Sequence, residues 1–434
     1  MKVKITIIES LRSFLTQSAG DFRYKQRPQD FTRRSSLTME YVALLIVSAL
    51  RRSLEIELVD FFGSLGHLKD CPSKSAFSQA RYKLSIRFFL GWNDCFRTQY
   101  YQSMGSVLKT WHGLMVEAVD GSQVHLPDET FGSDLGRVFG LHRTVVMGLV
   151  VTCCDVLQNI VNRAVLCPFR TDERWVALRW LKNCGGNTLR LYDRGFASTA
   201  LMYWHLKYRV PFVMRLKLDF NTVVKQFVKS GLKEETAWCS ISYKARSLAQ
   251  KGVPTPVGAK VKVRLIRVRL PNGEVEVLAT SLYDAQTYPT EDFAALYFVR
   301  WGAETIFDRL KNALQLQLFA ARRAKGVQQE FQATILLLNL QSLLAQDCQP
   351  EIDAKTNKRK YRYQINHNLA FGHLKQHLIH IFCHSNPQLI LQNLKELLLR
   401  QLIPIKPHRN VPRRKRKRHL NTKHFTPVNY RKPC

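Results

Sequence analysis

The spacing of apolar residues changes twice along the chain, and the changes divide it. From the N-terminus to about residue 108 they recur at helical intervals. Tyr41 to Phe62 reads as a buried helix. Ser73-Lys74-Ser75 opens another, SKSAFSQARYKL, with Lys74, Arg81 and Lys83 beside Phe77 and Leu84. At Gly113 the period shortens. Leu114 to Val119 is an apolar run ending at Asp120, and Val145 to Val156 and Ile160 to Leu166 are Val-rich strand candidates. Thr171 to Leu181 reads as a helix with acidic residues in its first turn. Leu189 to Tyr192 reads as a strand ending at Asp193, Phe196 to Tyr208 as a helix and Pro211 to Leu216 as a strand. This is a mixed α/β order with a carboxylate at the end of the first and fourth strands.

Residues 218 to 288 interrupt that rhythm. Lys260 to Leu270 alternates Lys or Arg with Val, Leu and Ile, a period of two with one basic face. Pro271-Asn272-Gly273 is a hairpin turn signal and Glu274 to Ser281 the return strand, so the segment reads as a β-rich insertion. Pro289-Thr290 then opens a helix, with Thr290 as N-cap and Glu291 and Asp292 near the positive dipole end. Helix returns after Lys325, notably from Phe331 to Ala345.

The helix after Pro289 carries the densest chemistry. Tyr297, Arg300, Glu304 and Lys311 stand at i, i+3, i+7 and i+14. At about 100° per residue they fall within an arc of roughly 60°. A carboxylate there can hold a divalent metal, and the flanking cations and phenol can hold phosphates. Asp120 and Asp193, if brought together, would repel unless a cation neutralised them. Hard divalent cations with oxygen ligands do so, and Glu304 would complete the set. Each residue also has a plainer reading: a turn residue before Gly121, a residue near a helix N-cap, and a surface carboxylate pairing with Arg300 and Lys311.

Composition points to the same partner. The chain has 434 residues, with 66 Lys and Arg against 33 Asp and Glu, a formal charge of +33. Such an excess favours polyanions. A hydrophobic content of 45% supports large cores and so weighs against a purely structural nucleic-acid binder. Two to four domains are expected at this length. Glu9 interrupts the N-terminal apolar stretch early, and the run Tyr41 to Leu50 is too short to span a bilayer. The ten cysteines include no CxxC pair and are expected to be free thiols. His373, His377, His380 and His384 share one helix face beside Cys383, read as a polar stripe rather than a zinc site.

The spacing of Tyr297, Arg300, Glu304 and Lys311 is similar to the Y-R-E-K signature of DDE-type insertion-sequence transposases. VEAVDGSQVHLPD around Asp120 and LRLYDRGFAS around Asp193 resemble the first two catalytic motifs of that group. The resemblance runs from SKSAFSQARYKL to about residue 345. It implies an α/β fold with an RNase H-like catalytic domain interrupted by a β-rich insertion. The expected organisation is a helical N-terminal DNA-binding region (1–108), the catalytic domain in two parts (109–217 and 289–345) around the insertion (218–288), a helical C-terminal region (346–405) and a basic disordered tail (406–434).

The resemblance also implies roles. Asp120, Asp193 and Glu304 would ligate two Mg²⁺ ions, with Mn²⁺ able to substitute. Arg300 and Lys311 would grip phosphates, with Tyr297 beside them. Trp238 in the insertion is a candidate to stack on a flipped base, although a strand tryptophan is more often core. Partners would be double-stranded DNA, as terminal inverted repeats and target, and a second copy of the chain in a dimer. The setting would be the bacterial cytoplasm at the nucleoid. Relatives often carry Arg where this chain has Phe298, and Ile where it has Ala303. Two other functions stay open: an RNase H-fold nuclease that cuts without joining, and a non-catalytic DNA-binding derivative, which the intact acidic triad disfavours.

Residues 406 to 434 hold eleven Lys or Arg, four Pro and no acid. Deleting 409–434 is expected to lower DNA affinity without sequence preference and to flatten its salt dependence. Each lost phosphate contact removes roughly 0.9 from the slope of log K against log salt. Titrations at several salt concentrations check this; equal slopes would exclude the tail as a DNA-binding element.

Overall fold

The computed structural model describes residues 2–130, 138–139, 144–241, 256, 258–270 and 273–406. The basic run Arg413 to Arg418 and most of the turn Pro271-Asn272-Gly273 lie outside the described residues. The chain forms two compact units, one of Leu108–Ser122 and Leu149–Phe307, the other of Met1–Val107, Gln123–Gly148 and Asp308–Cys434.

The first unit is built on a mixed sheet of eight strands: β1 (Met115–His125, whose last residues pass into the other unit), β2 (Met147–Asp155), β3 (Ile160–Pro168), β4 (Thr188–Tyr192), β5 (Phe212–Leu216), β6 (Glu234–Ser240), β7 (Lys260–Arg269) and β8 (Val275–Thr280). Their spatial order is β3-β2-β1-β4-β5-β8-β7-β6. β4 runs parallel to β1 and β5 parallel to β4; β8, β7 and β6 continue antiparallel. Val156 N donates to Val116 O and Leu126 N to Val146 O, opposed numbering that makes β1 and β2 antiparallel. The strands read as an interruption therefore extend the same sheet, with the Thr222–Ser230 helix between β5 and β6.

Both faces of the sheet are covered, so its strands read as apolar runs. One face holds Val119, Cys153, Tyr192, Phe212 and Met214, packed by Val176, Leu178, Leu181 and Ala200 to Met202 from two helices, Glu173–Leu181 and Thr199–Lys207. The other holds Val116, Ala118, Leu189, Leu191, Val213 and Leu278, packed by Phe293, Leu296, Tyr297 and Ala303. Alternation along β1 sends Asp120 to the second face with Val116 and Ala118, and Gly121 to the first with Val119.

The basic face expected along Lys260 to Leu270 divides. Lys260 and Lys262 are exposed, but Arg264 is buried, donating to the carbonyls of Leu282 and Tyr288 and to Glu234. Beyond the adjacent pair Leu265-Ile266 the phase changes, and Arg267 turns to the carbonyls of Phe227, Val228 and Leu232 at the end of the Thr222–Ser230 helix. Thr290 is not a helix cap. Its hydroxyl is held by Arg264 and Glu234, and the helix starts at Asp292 with Glu291 before it.

Among its described residues the second unit is helical apart from two short strand pairs and the ends of β1 and β2. A long helix, Ala324–Thr356, is buried around most of its circumference and packs against Ile86–Met104 and Met39–Val47. The helix expected through Tyr41–Phe62 breaks into Met39–Val47 and Leu54–Ser64. Ala49 adopts φ 53° in the break, the backbone amides of Arg51 and Arg52 bond to Glu57, and the Arg51 side chain bonds to the carbonyls of Leu314 and Leu318. Arg81, expected beside the DNA-facing residues of its helix, is buried and pairs with Glu330 at 3.0 Å. In the helix His367–Cys383, His377 bonds to the His373 carbonyl and His373 to Gln401.

Glu57 is 5% exposed. Burial alone would raise its pKa, but the Lys375 ammonium at 2.8 Å and the amides of Arg52 and Arg51 hold it down at about 2. Burial pulls Lys375 down as well; the carboxylate direction governs, because Glu57 gains the two amides in addition. A depressed acid contributes stability above its unfolded pKa, near 4.5, and loses it as pH falls towards 2. Glu57→Gln is therefore expected to cost on the order of 3 kcal/mol at pH 7. Denaturant melts from pH 7 to 2 should show the gap to wild type closing below about pH 4.5.

Candidate active site

Two strands and one covering helix place the acidic residues on one face of the sheet. The parallel register pairs Val119 with Tyr192, the last pair in the ladder. Asp120 and Asp193 follow that pair on neighbouring strands and, by alternation, face the same side. β1 does not end at Asp120, as the apolar run suggested, but continues to His125. Ala303 is fully buried in the core on that face, and Glu304 follows it on the Trp301–Asp308 helix. Asp120, Asp193 and Glu304 are all half-buried.

The charges crowd. Burial, together with Asp193 and Glu304, raises Asp120 from its usual 3.8 to about 6, against the lowering effect of the Gly121 amide and Arg300. Glu173, the first residue of its helix, is raised to about 7 by burial and by Asp120, Asp193 and Asp172. Its place in the sequence marks it only as an acid suited to a helix N-terminus. Nothing in the spacing showed that a Cβ added at Gly121 would overlap its carboxylate. Oxygen-only donors of this density suit a hard divalent cation. Among the described residues no three His, Cys, Asp or Glu side chains converge as a ready-made cage; Glu304 turns instead onto Arg300, at 3.0 Å.

The neighbouring residues sit differently from a single helical face. Asp292–Phe298 and Trp301–Asp308 are separate helices, and Arg309–Ala313 is a π-helical turn. At the joint Arg300 N bonds to Tyr297 O and Ala303 N to Arg300 O, three-residue spacings that break the 100° phase. Tyr297 is buried, and its hydroxyl donates to the Tyr192 carbonyl beside Asp193 at 3.3 Å. Arg300 is also buried, its guanidinium 5.7 Å from the centre of the Tyr297 ring. Lys311, in the other unit, donates to the Gln123 carbonyl at 2.7 Å, and burial lowers its pKa. Phe298 is 72% exposed. Trp238 is not core: it is 58% exposed on the edge strand β6, opposite Lys262.

Because its folded pKa lies above 3.8, Asp120 favours folding while protonated and opposes it as pH rises from about 4 to 6. Asp120→Asn is expected to stabilise the metal-free protein at pH 7 by about 1 to 3 kcal/mol. Thermal melts in EDTA at pH 7 and pH 4 check this; an equal gain at both would show that charge crowding is not its source.

Residues 113–340 match the family described as Transposase DDE domain, just over half of the chain. Over 241 residues the chain is 25% identical to "Transposase InsG for insertion sequence element IS4" of Escherichia coli K12, covering 53% of this chain and 52% of that protein. Over 97 residues it is 32% identical to InsZ of the same organism, covering 21% of this chain and 32% of that one. The chain thus spans about half the length of the first of these relatives and a third of the second. Among solved structures it is similar to the piggyBac transposase synaptic complex with hairpin DNA, at 12% identity and a TM-score of 0.42, over 91% of this chain and 84% of that one.

Proposed function

We propose, from the premise that this chain belongs to the DDE-domain transposase family, that it cleaves the ends of a mobile DNA element and joins them to a target. The observation that carries the reading is the meeting of Asp120 and Asp193 through the β1–β4 register, with Glu304 on the helix covering the same face. The order β3-β2-β1-β4-β5, with β4 and β5 parallel to β1 and β2 antiparallel to it, supports an RNase H-like core.

Asp120, Asp193 and Glu304 are the residues that would hold Mg²⁺ or Mn²⁺, and their mutual repulsion fits that use. A divalent cation held there supplies Lewis acidity to an attacking water or 3′-hydroxyl and to the leaving oxygen. Tyr297 keeps the end of β4, and so Asp193, in position through the Tyr192 carbonyl. Arg300 stands between Tyr297 and Glu304 as a fixed cation; exchange of its Glu304 partner for a phosphate would set the scissile strand against the carboxylates. Lys311 and the basic surface would hold the backbone, which positions DNA without reading its sequence. Trp238, with Lys262 opposite, offers an exposed ring and a cation at the sheet edge, suited to an unpaired base. Substrates would be terminal inverted repeats and target DNA, handled by a dimer. The setting would be the cytoplasm at the nucleoid. No helix of the described residues is long and apolar enough to cross a membrane.

Asp120→Asn, Asp193→Asn and Glu304→Gln are each expected to reduce cleavage at least about 100-fold while leaving end binding largely intact. The assay is a gel with duplex ends bearing matched inverted repeats, Mg²⁺ and a target plasmid. Joined products from wild type support the reading. Cleavage without joining would make the protein a nuclease, and binding alone a non-catalytic derivative.

A further inference from the structure

Several cations of the helical unit have acidic partners. Lys4 and Lys395 share Asp347, Lys395 also holds Glu351 at 2.5 Å, and Lys375 holds Glu57. The segment after the long helix is different. From Lys355 to Arg362 it reads KTNKRKYR, five cations and no acid in eight residues. Lys355 lies in the last turn of the Ala324–Thr356 helix, where a cation suits the negative dipole end. That reason does not extend to Lys358, Arg359, Lys360 and Arg362. All four are exposed, and among the described residues none forms a salt bridge with an acid. The acids nearest in sequence are engaged, Glu351 with Lys395 and Asp353 with Gln349 Nε2 at 2.8 Å.

The backbone beneath these charges is held. Ile352 and Thr356 are buried on the helix side and Ile365 on the far side. The Thr356 hydroxyl donates to the Ile352 carbonyl, and the Arg359 amide to the Thr356 carbonyl at 2.9 Å. Gln349 Nε2 donates to the Tyr363 carbonyl at 3.2 Å. Arg362–Ile365 is a strand paired antiparallel with Leu402–Ile405, Arg362 opposite Ile405. Two tyrosines steady two of the cations: the Arg359 guanidinium lies 4.8 Å from the centre of the Tyr363 ring, and the Lys360 ammonium 5.6 Å from that of Tyr361. Ordering flexible side chains opposes binding, and side chains already steadied lose less.

Unpaired like charges this close repel one another, and a polyanion relieves the repulsion. Duplex DNA presents a negative charge about every 1.7 Å along its axis. Beyond Ile405 the chain passes to Lys406 and the basic C-terminal sequence, so the patch stands where that sequence begins. We propose that Lys358, Arg359, Lys360 and Arg362 form a docking surface for the backbone of duplex DNA, independent of its sequence and built by the helical unit alone. The proposal rests on the reading of the chain as a protein that acts on DNA.

The experiment compares full-length proteins by fluorescence anisotropy on a short duplex of unrelated sequence at several salt concentrations. The variant combining Lys358→Gln, Arg359→Gln, Lys360→Gln and Arg362→Gln is expected to bind at least about tenfold more weakly than wild type at moderate salt. Its slope of log K against log salt should be smaller by about 2 to 4, at roughly 0.9 per lost phosphate contact. Lys358→Gln and Arg362→Gln singly should each remove about one contact, which tests the surface even if the combined variant does not fold. The variant combining Lys358→Arg, Arg359→Lys, Lys360→Arg and Arg362→Lys should keep the wild-type slope. At saturating protein, cleavage of ends bearing matched inverted repeats should keep the wild-type rate in the Gln variant, because none of the four is a proposed metal ligand. A wild-type slope in the Gln variants overturns the surface and leaves the reading of the chain standing. Wild type without affinity for any duplex overturns both. Phosphatidylserine vesicles held by wild type but not by the combined Gln variant, with the DNA slope unchanged, would assign the patch to a membrane and also overturn the proposal.

Discussion

The parallel pairing of β1 with β4 decides where the acidic side chains of the candidate site stand. Glu117 and Arg190 are cross-strand partners in that ladder and form a buried ion pair at 2.7 Å, with Asn162 also donating to Glu117. Breaking such a pair from one side typically costs about 3 to 5 kcal/mol, since the remaining charge stays buried and uncompensated. The pair favours this register, because a slip of one residue would send one of the two charges into the opposite layer and leave the other buried alone. The same register sets Asp120 beside Asp193.

Once the carboxylates are side by side, the rest of the site answers their repulsion. Arg300 is the nearby cation of fixed charge, buried and turned to Glu304. Tyr297 braces the end of β4 through the Tyr192 carbonyl. On the opposite face of the sheet, His205 bonds to the Tyr192 hydroxyl at 2.9 Å and to the Val210 carbonyl at 2.8 Å. Burial lowers the His205 pKa to about 3, keeping the ring neutral.

The interrupted helix shows where a periodic reading stops. Tyr297, Arg300, Glu304 and Lys311 share a side only if one α-helix runs through them. The three-residue hydrogen bonds around Arg300 and the π turn at Arg309–Ala313 rotate that phase. Tyr297 consequently faces β4 rather than solvent. Thr290 and Arg264 show a related effect: their neighbours in sequence suit them to a cap and to an exposed basic face, and each is consumed by partners far along the chain.

Several features followed from the chain alone. The strand and helix order from Met115 to Leu216, the acidic residues after apolar runs, and the excess of cations were legible because period, burial pattern and charge are local properties. The three acids Asp120, Asp193 and Glu304 could be selected because each adjoins an element the local pattern defines. Tertiary structure decided the rest. Only the sheet order shows that β6, β7 and β8 extend the same sheet, since strand neighbours are not written in local spacing. Only the packing of two layers brings Glu173 over Gly121, and only the edge position of β6 leaves Trp238 exposed. The physical reason is that a side chain's exposure and charge environment depend on which distant segment lies across from it, and no periodicity along one segment encodes that.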